Sequence, residues 1–464
     1  MLFGKQYFAV IAVLIAWPAG QAMPQEPADH RPDSMAVSSA LASERIQGSI
    51  EDSDLRQLIN EGLERNPGVA AAAARARAAL QQAPQVKALP DPVASLTAFL
   101  ETPETRTGPQ RFSAGIFQGL PWFGKLALKE RAALLAAAAL EAEVEAKRLM
   151  LVTETRRLYY ELSFLDRYKE ITDEFRIHLL QHEEIARVRY STGVGTGQGV
   201  VKLQAEITRV ENELLGIETR RVSLVAQLNA LRDRAARTPV PGEPRDLLQE
   251  IAEIYLDPGT LLETALTSRP EVAAADARIS RSETLIQLAR KSYRPDFKVG
   301  VTYTFVDPRN DTPGRVQPPE GNGDDILGIQ GAVTLPIRRQ KLAAGLEQAV
   351  ELETAATEAK RDLVAAIEAT IGDLSQRVPL SWRRLRLVED VLVVQAEEAL
   401  ESAQAGYVAG TLNALDLLDA EHILFEAHTA VARAKTDYLV GLAKLDGALG
   451  ASVLTTSTTE RSES

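Results

Sequence analysis

The sequence predicts a mixed α/β membrane protein built by internal duplication, with four β-strands per chain for a barrel shared between chains and long α-helices for a coiled-coil barrel. Three observations predict it. Two stretches of chain resemble each other at a nearly fixed spacing, each copy holds a pair of runs with a period of two, and each holds a helix-compatible run longer than any compact domain uses.

The duplication is read first because it organises the rest. Leu63-Glu64-Arg65-Asn66-Pro67-Gly68-Val69 returns as Leu266-Thr267-Ser268-Arg269-Pro270-Glu271-Val272, an offset of 203 (position 270 against 67). Tyr190-Ser191-Thr192-Gly193 matches Tyr407-Val408-Ala409-Gly410, and Leu228-Asn229-Ala230 matches Leu445-Asp446-Gly447, both at an offset of 217. The change of offset marks an insertion in the second copy. The expected units are 55–235 and 258–450, joined by a linker at 236–257 that contains Pro239, Pro241 and Pro244. Each unit reads as helix, two strands around a polar loop, a very long helix, a glycine turn and a second long helix. A polar segment at 23–54 precedes them and a polar tail at 451–464 follows.

In 297–305 every odd position is apolar and every even one small or polar, the period of a strand with two unlike faces. Leu327, Ile329, Val333 and Leu335 repeat the pattern beyond a turn-rich loop at 307–325, with Gly331 interrupting the apolar row. The first copy offers strands at 93–100 and 112–120 around a loop containing Pro103, Gly108 and Pro109. About ten residues suffice for a tilted strand to cross the hydrocarbon layer, and Phe99, Phe117, Trp122, Tyr293 and Phe305 supply aromatics towards the ends. Four strands cannot close, and an open sheet edge in lipid leaves unpaired amides and carbonyls that cost several kcal/mol each. Two chains would give a filled eight-stranded plug and three a twelve-stranded conduit. Two soluble hairpins remain the alternative on these residues alone.

Residues 125–192 contain neither glycine nor proline, 68 residues that would extend about 100 Å as a helix. Val144, Leu151, Leu158, Leu165, Leu179 and Ala186 recur at sevens with Thr172 interrupting; Val364, Ile371, Val378, Leu385, Leu392 and Ala399 do so unbroken. The companion seam position is poorly kept, which favours helices with neighbours on two sides, as in a cylinder. Pro379 is expected to bend its helix without ending it.

Composition narrows the function. A net charge of −12 lacks the basic footprint that nucleic acid requires. Lys5, an apolar run at 8–17 and Gly20-Gln21-Ala22 read as a signal peptide over 1–22, so the chain is exported. The absence of cysteine removes disulfides, thiolate metal sites and a cysteine lipid anchor. His178 and His182 could share a metal across one helix turn, but Leu179-Leu180-Gln181 lacks a metalloprotease glutamate, and a solvated helix face is expected. The glycines around Gly193 and Gly197 lack the strand and spacing of a phosphate loop. No nucleophile stands with a base, so neither catalytic residues nor a cofactor or resident metal are expected.

These residues resemble a known family. Two copies of strand pair plus long helical hairpin, the run Leu120-Pro121-Trp122-Phe123-Gly124-Lys125 at a strand-to-helix entry, and Tyr407-Val408-Ala409-Gly410 followed by Asp416-Leu417-Leu418-Asp419-Ala420-Glu421 are similar to the TolC-like outer membrane efflux proteins. The resemblance implies a homotrimer in outer-membrane lipid, with a 12-stranded β-barrel continuing into a periplasmic α-helical coiled-coil barrel. It implies a periplasmic adaptor (membrane fusion) protein and an inner-membrane resistance-nodulation-division pump as partners, the channel itself being passive. It places Tyr407, Asp416 and Asp419 at the periplasmic aperture and the hairpin turns at Gly193, Gly195 and Gly410 against the adaptor. Gly199 and Lys202 stand where the first copy would repeat the two aspartates, and Leu412 stands where some members carry a basic gate residue. Closure is therefore expected to lean on packing and on the tyrosine. The surroundings of Trp122 resemble the heavy-metal cation branch. A soluble periplasmic coiled-coil scaffold or adaptor and a type I protein-secretion duct are the alternatives.

Overall fold

The computed structural model describes residues 52–240 and 257–452. The expected signal peptide, nearly all of the 23–54 segment, most of the linker and the tail beyond 452 lie outside the described residues. The order of elements is helices, strands and a long helical hairpin, and then the same again.

Helix α1 (Ser53–Arg65) begins where the Asp52 carboxylate accepts from the Asp54 and Leu55 amides, and Asp52 also accepts from the Tyr159 hydroxyl at 2.6 Å. Helix α2 (Pro67–Leu80) opens on proline at the first position, where its missing N–H costs nothing. The Asn66 side chain caps it through Val69 N and donates to Leu231 O at 2.9 Å. Helix α3 (Gln82–Lys87) leads into the sheet.

The sheet is antiparallel and ordered β1-β3-β4-β5: β1 is Val93–Ala98, β3 Gly108–Leu120, β4 Asp296–Val306 and β5 Ile326–Thr334. A two-residue β2 (Glu104–Thr105), which the sequence pattern did not flag, folds back on β3. The pairing of β3 with β4 joins the first half of the chain to the second, and Phe112 stacks on Phe305 with ring centroids 4.0 Å apart. β1 and β5 are edges, and apolar Leu96, Leu327 and Ile329 stand exposed along them.

Helix α4 (Lys125–Ser191) runs 67 residues, on the order of 100 Å, and returns through α5 (Gly197–Leu231). Its expected seam is buried at every position from Val144 to Ala186, including Thr172, whose hydroxyl is spent on Tyr168 O at 2.6 Å. In the second half α6 (Pro258–Ser268) and α7 (Pro270–Lys291) precede β4, and α8 (Thr312–Val316) lies in the β4–β5 loop. Helix α9 (Arg339–Leu387) passes through Pro379 without a break, then a π-turn at Val388–Leu392 leads into α10 (Val393–Ala409) and the return helix α11 (Ala414–Leu449).

The π-turn corrects the second seam. Ile371, Val378 and Leu385 are buried as the heptad requires, but Leu392 is 40% exposed and Ala399 is exposed too. Burial passes to Ala396, Leu400, Ala403 and Tyr407. The wider i→i+5 turn rotates the helix, and the seam resumes four residues late, as a four-residue stutter would require.

The core lies between the layers of helix. Leu55, Leu58 and Ile59 of α1 pack with Leu149, Val152 and Tyr159 of α4 and Val440 of α11; Leu261 and Val272 pack with Ile371, Val378 and Tyr438. Among the described residues no helix is long and apolar enough to cross a membrane.

Candidate channel aperture at the hairpin turns

Both long hairpins turn at one end of the molecule, and their glycines explain how. Gly193 and Gly410 adopt φ of 78° and 75°, the left-handed conformation that glycine enters without Cβ strain. Thr411 N and Leu412 N both donate to Gly406 O, closing the second turn, while Gly195 N returns to Arg189 O at 3.0 Å and closes the first. A Cβ placed on Gly199 would lie 3.6 Å from that of Ala414, so the starts of α5 and α11 are neighbours.

The three residues expected at the aperture occupy different environments. Tyr407 is buried, packed with Leu400, Ala403, Leu417 and Ala420 of its own hairpin, and the Arg189 guanidinium of the other hairpin sits 4.1 Å from its ring centroid. Asp416 is exposed on the first turn of α11 and completes a capping box: its carboxylate accepts from Asn413 N at 2.9 Å while the Asn413 side chain accepts from the Asp416 amide. Asp419, one turn on, is exposed and has no hydrogen bond or ion pair among the described residues. Gly193, Gly195 and Gly410 lie at the turns; Leu412 packs back over Gly406.

Sequence reasoning missed what lies just behind. His178 stays half exposed, as a solvated face implies, but His182 is largely covered, and both meet Glu421, a buried carboxylate on α11. Glu421 faces His182 Nε2 at 2.9 Å and His178 Nδ1 at 3.2 Å. Burial alone would raise the Glu421 pKa, but the bonds and charges of His182 and His178 bring it below the ordinary carboxylate range. The cluster ties the first hairpin to the second beside a stacked Phe175–Phe425 pair with centroids 4.6 Å apart. The only sequence signal was the four-residue spacing of the histidines. Among the described residues no group of three or more acidic, imidazole or thiol side chains is arranged to hold a metal ion.

At the opposite end the strand-to-helix entry is also built from specific contacts. Trp122 N and Lys125 Nζ share one oxygen of Asp296 at 2.7 and 2.8 Å, and Trp122 stacks on Phe297. Asp296, at the start of β4, locks the entry to α4.

A family model described as "Outer membrane efflux protein" matches residues 58–232 and again 261–451. The chain belongs to that family. It is a TolC-like outer membrane efflux protein, a channel component of tripartite efflux systems, located in the outer membrane with a periplasmic extension. Outer membrane protein TolC of Vibrio cholerae is 23% identical over 440 residues, covering 89% of this chain and 94% of the relative. Outer membrane protein OprJ of Pseudomonas aeruginosa is 27% identical, covering 96% of each. Cobalt-zinc-cadmium resistance protein CzcC of Cupriavidus metallidurans is 28% identical over 171 residues, 36% of this chain and 37% of the relative. Among solved structures the fold is shared with the outer-membrane channel OprN (TM-score 0.73, 19% identity, 86% of this chain and 91% of that one) and with CusC (0.71, 18%, 86% and 93%).

Proposed function

We propose that three copies of this chain form one export duct, with a 12-stranded barrel in the outer membrane and a helical tunnel through the periplasm. The observation that carries this is the pair of sheet edges at β1 and β5, which bear exposed apolar side chains and have no strand partner on their outer sides among the described residues. Such edges are tolerable in lipid only if other copies cover them. The duct is passive. An inner-membrane pump of the resistance-nodulation-division class, coupled through an adaptor that meets the turns at Gly193, Gly195 and Gly410, supplies the work.

Tyr407, Asp416 and Asp419 form the periplasmic aperture on this reading. Three symmetry copies bring the exposed carboxylates into rings that attract cations and repel anions. The cargo proposed is heavy-metal cations, supported by the partial similarity to CzcC and by the residues around Trp122. Growth of a deletion strain across divalent metals and, separately, hydrophobic drugs tests the cargo. Selective metal sensitivity, reversed by the restored gene, is expected; sensitivity to drugs alone overturns it. Assembly is tested by extraction: the protein should require detergent and run as a trimer, and a monodisperse monomer in plain buffer would be fatal to the duct reading.

A further inference from the structure

Where the strands meet the helices, the chain reverses its overall acidity. Residues 290–298 and 335–341 hold seven lysines and arginines and one carboxylate, Asp296, in a protein of net charge −12. Asp296 is already taken by Lys125. Arg294, Arg338 and Arg339 are exposed and, among the described residues, have no carboxylate partner. Nearby helix cations do: Arg278 pairs with Glu143 and Lys360 with Asp276.

Strand register places these cations on one rim. Leu120 pairs with Phe297 and Phe297 with Val333, so Trp122, Arg294 and Arg338 all lie just past the same end of the sheet. Aromatic rings are interleaved with them: Arg294 lies 5.9 Å from the Trp122 centroid and Arg339 5.9 Å from that of Tyr293. Phe123 and Ile337 stand 81% and 76% exposed beside them. Exposed apolar and aromatic groups interleaved with unpaired cations match the boundary between acyl chains and phosphates.

We infer that this rim binds the phosphate headgroups of anionic phospholipids in the periplasm-facing leaflet of the outer membrane. The inference rests on the proposed membrane barrel, whose helix-bearing end faces that leaflet. It goes further in naming the lipid: phosphatidylglycerol-type headgroups are favoured over zwitterionic ones because the cations lack internal counter-charges.

Full-length protein in neutral detergent, offered equal phosphatidylglycerol and phosphatidylethanolamine, tests this by native mass spectrometry. Preferential retention of phosphatidylglycerol is expected, weakening as salt rises. In R294Q/R338Q/R339Q the preference should fall at least about tenfold, since each cation near an anionic surface is worth several-fold in binding. R361Q/R377Q, on exposed helix positions far from the rim, should keep it. Equal retention of both lipids by the wild-type protein, or a preference that salt and the triple substitution leave intact, overturns the proposal. Stronger retention of lipopolysaccharide than of phosphatidylglycerol overturns the leaflet assignment. Should the triple variant not assemble, the wild-type salt titration and R338Q/R339Q still decide. Failure of the duct reading would show separately, as protein that needs no detergent.

Discussion

Arg156 on α4 donates to the Asp446 carboxylate on α11 at 2.6 Å, with only 8% and 7% of the two side chains exposed. Burial works against the Arg156 charge, but Tyr160 and Asp446 hold its pKa above the ordinary value. The pair therefore fixes where the second hairpin sits on the first. A buried pair adds little over apolar packing, yet removing one partner strands the other charge. Asp446→Ala should cost about 3–5 kcal/mol, whereas Arg156→Met with Asp446→Leu should cost far less. Denaturant unfolding in detergent at fixed protein concentration checks both, and equal losses would mean that the charges do not face each other.

Much of this arrangement is legible in the sequence because helices and strands repeat at fixed periods. The seam from Val144 to Ala186 is read correctly since nothing interrupts an α-helix there. The seam through Leu392 is misread because a π-turn has no residue signature; Val388–Leu392 contains neither glycine nor proline. Pro379 sits inside a helix that continues past it, as expected for a proline that does not end the element. Contacts between hairpins were hidden altogether. Arg189 over Tyr407, Glu421 between two histidines, and Asp296 under Trp122 join residues more than 150 positions apart, and one sequence records no such pairing.

Glu421 gives the hairpin junction an acid dependence whose sign is fixed. A carboxylate with a lowered folded-state pKa contributes stability above its unfolded value, about 4.3, and loses it as pH falls through the folded value. Wild-type protein should therefore lose protection at the Phe175–Phe425 contact below about pH 4.3. Glu421→Gln should be less stable at neutral pH and show a shallower acid slope. Hydrogen exchange of the facing segments of α4 and α11 at several pH values measures this; identical slopes in the two proteins would remove Glu421 from the junction.

Two glycines should respond differently to alanine. At Gly410 a Cβ meets nothing within 4 Å, so Gly410→Ala pays only for the left-handed backbone, about 1–2 kcal/mol. At Gly300 a Cβ would run into the Phe117 ring, which crosses the strand there beneath Lys298. Gly300→Ala should impair assembly of the sheet, and Gly300→Ala with Phe117→Ala should partly restore it. Detergent-resistant oligomer on a gel, compared with the thermal midpoint of the Gly410 variant, separates the two mechanisms.

The proposed acidic ring can be separated from helix capping because the two aspartates do different local work. Asp416 accepts from Asn413 N, so Asp416→Ala removes a cap worth about 1 kcal/mol as well as a charge. Asp419 has no partner to lose among the described residues. Asp419→Ala should therefore leave unfolding unchanged while shifting the reversal potential in a salt gradient towards lower cation preference, an effect that shrinks at high ionic strength. Asp416→Ala should show the same electrical shift together with lower stability. Arg189 adds a counter-test, since Arg189→Gln removes a cation beside Tyr407 and should move the reversal potential the opposite way. If Asp419→Ala keeps the wild-type reversal potential, the carboxylates do not face the conduction path, and Asp416 is a helix cap alone.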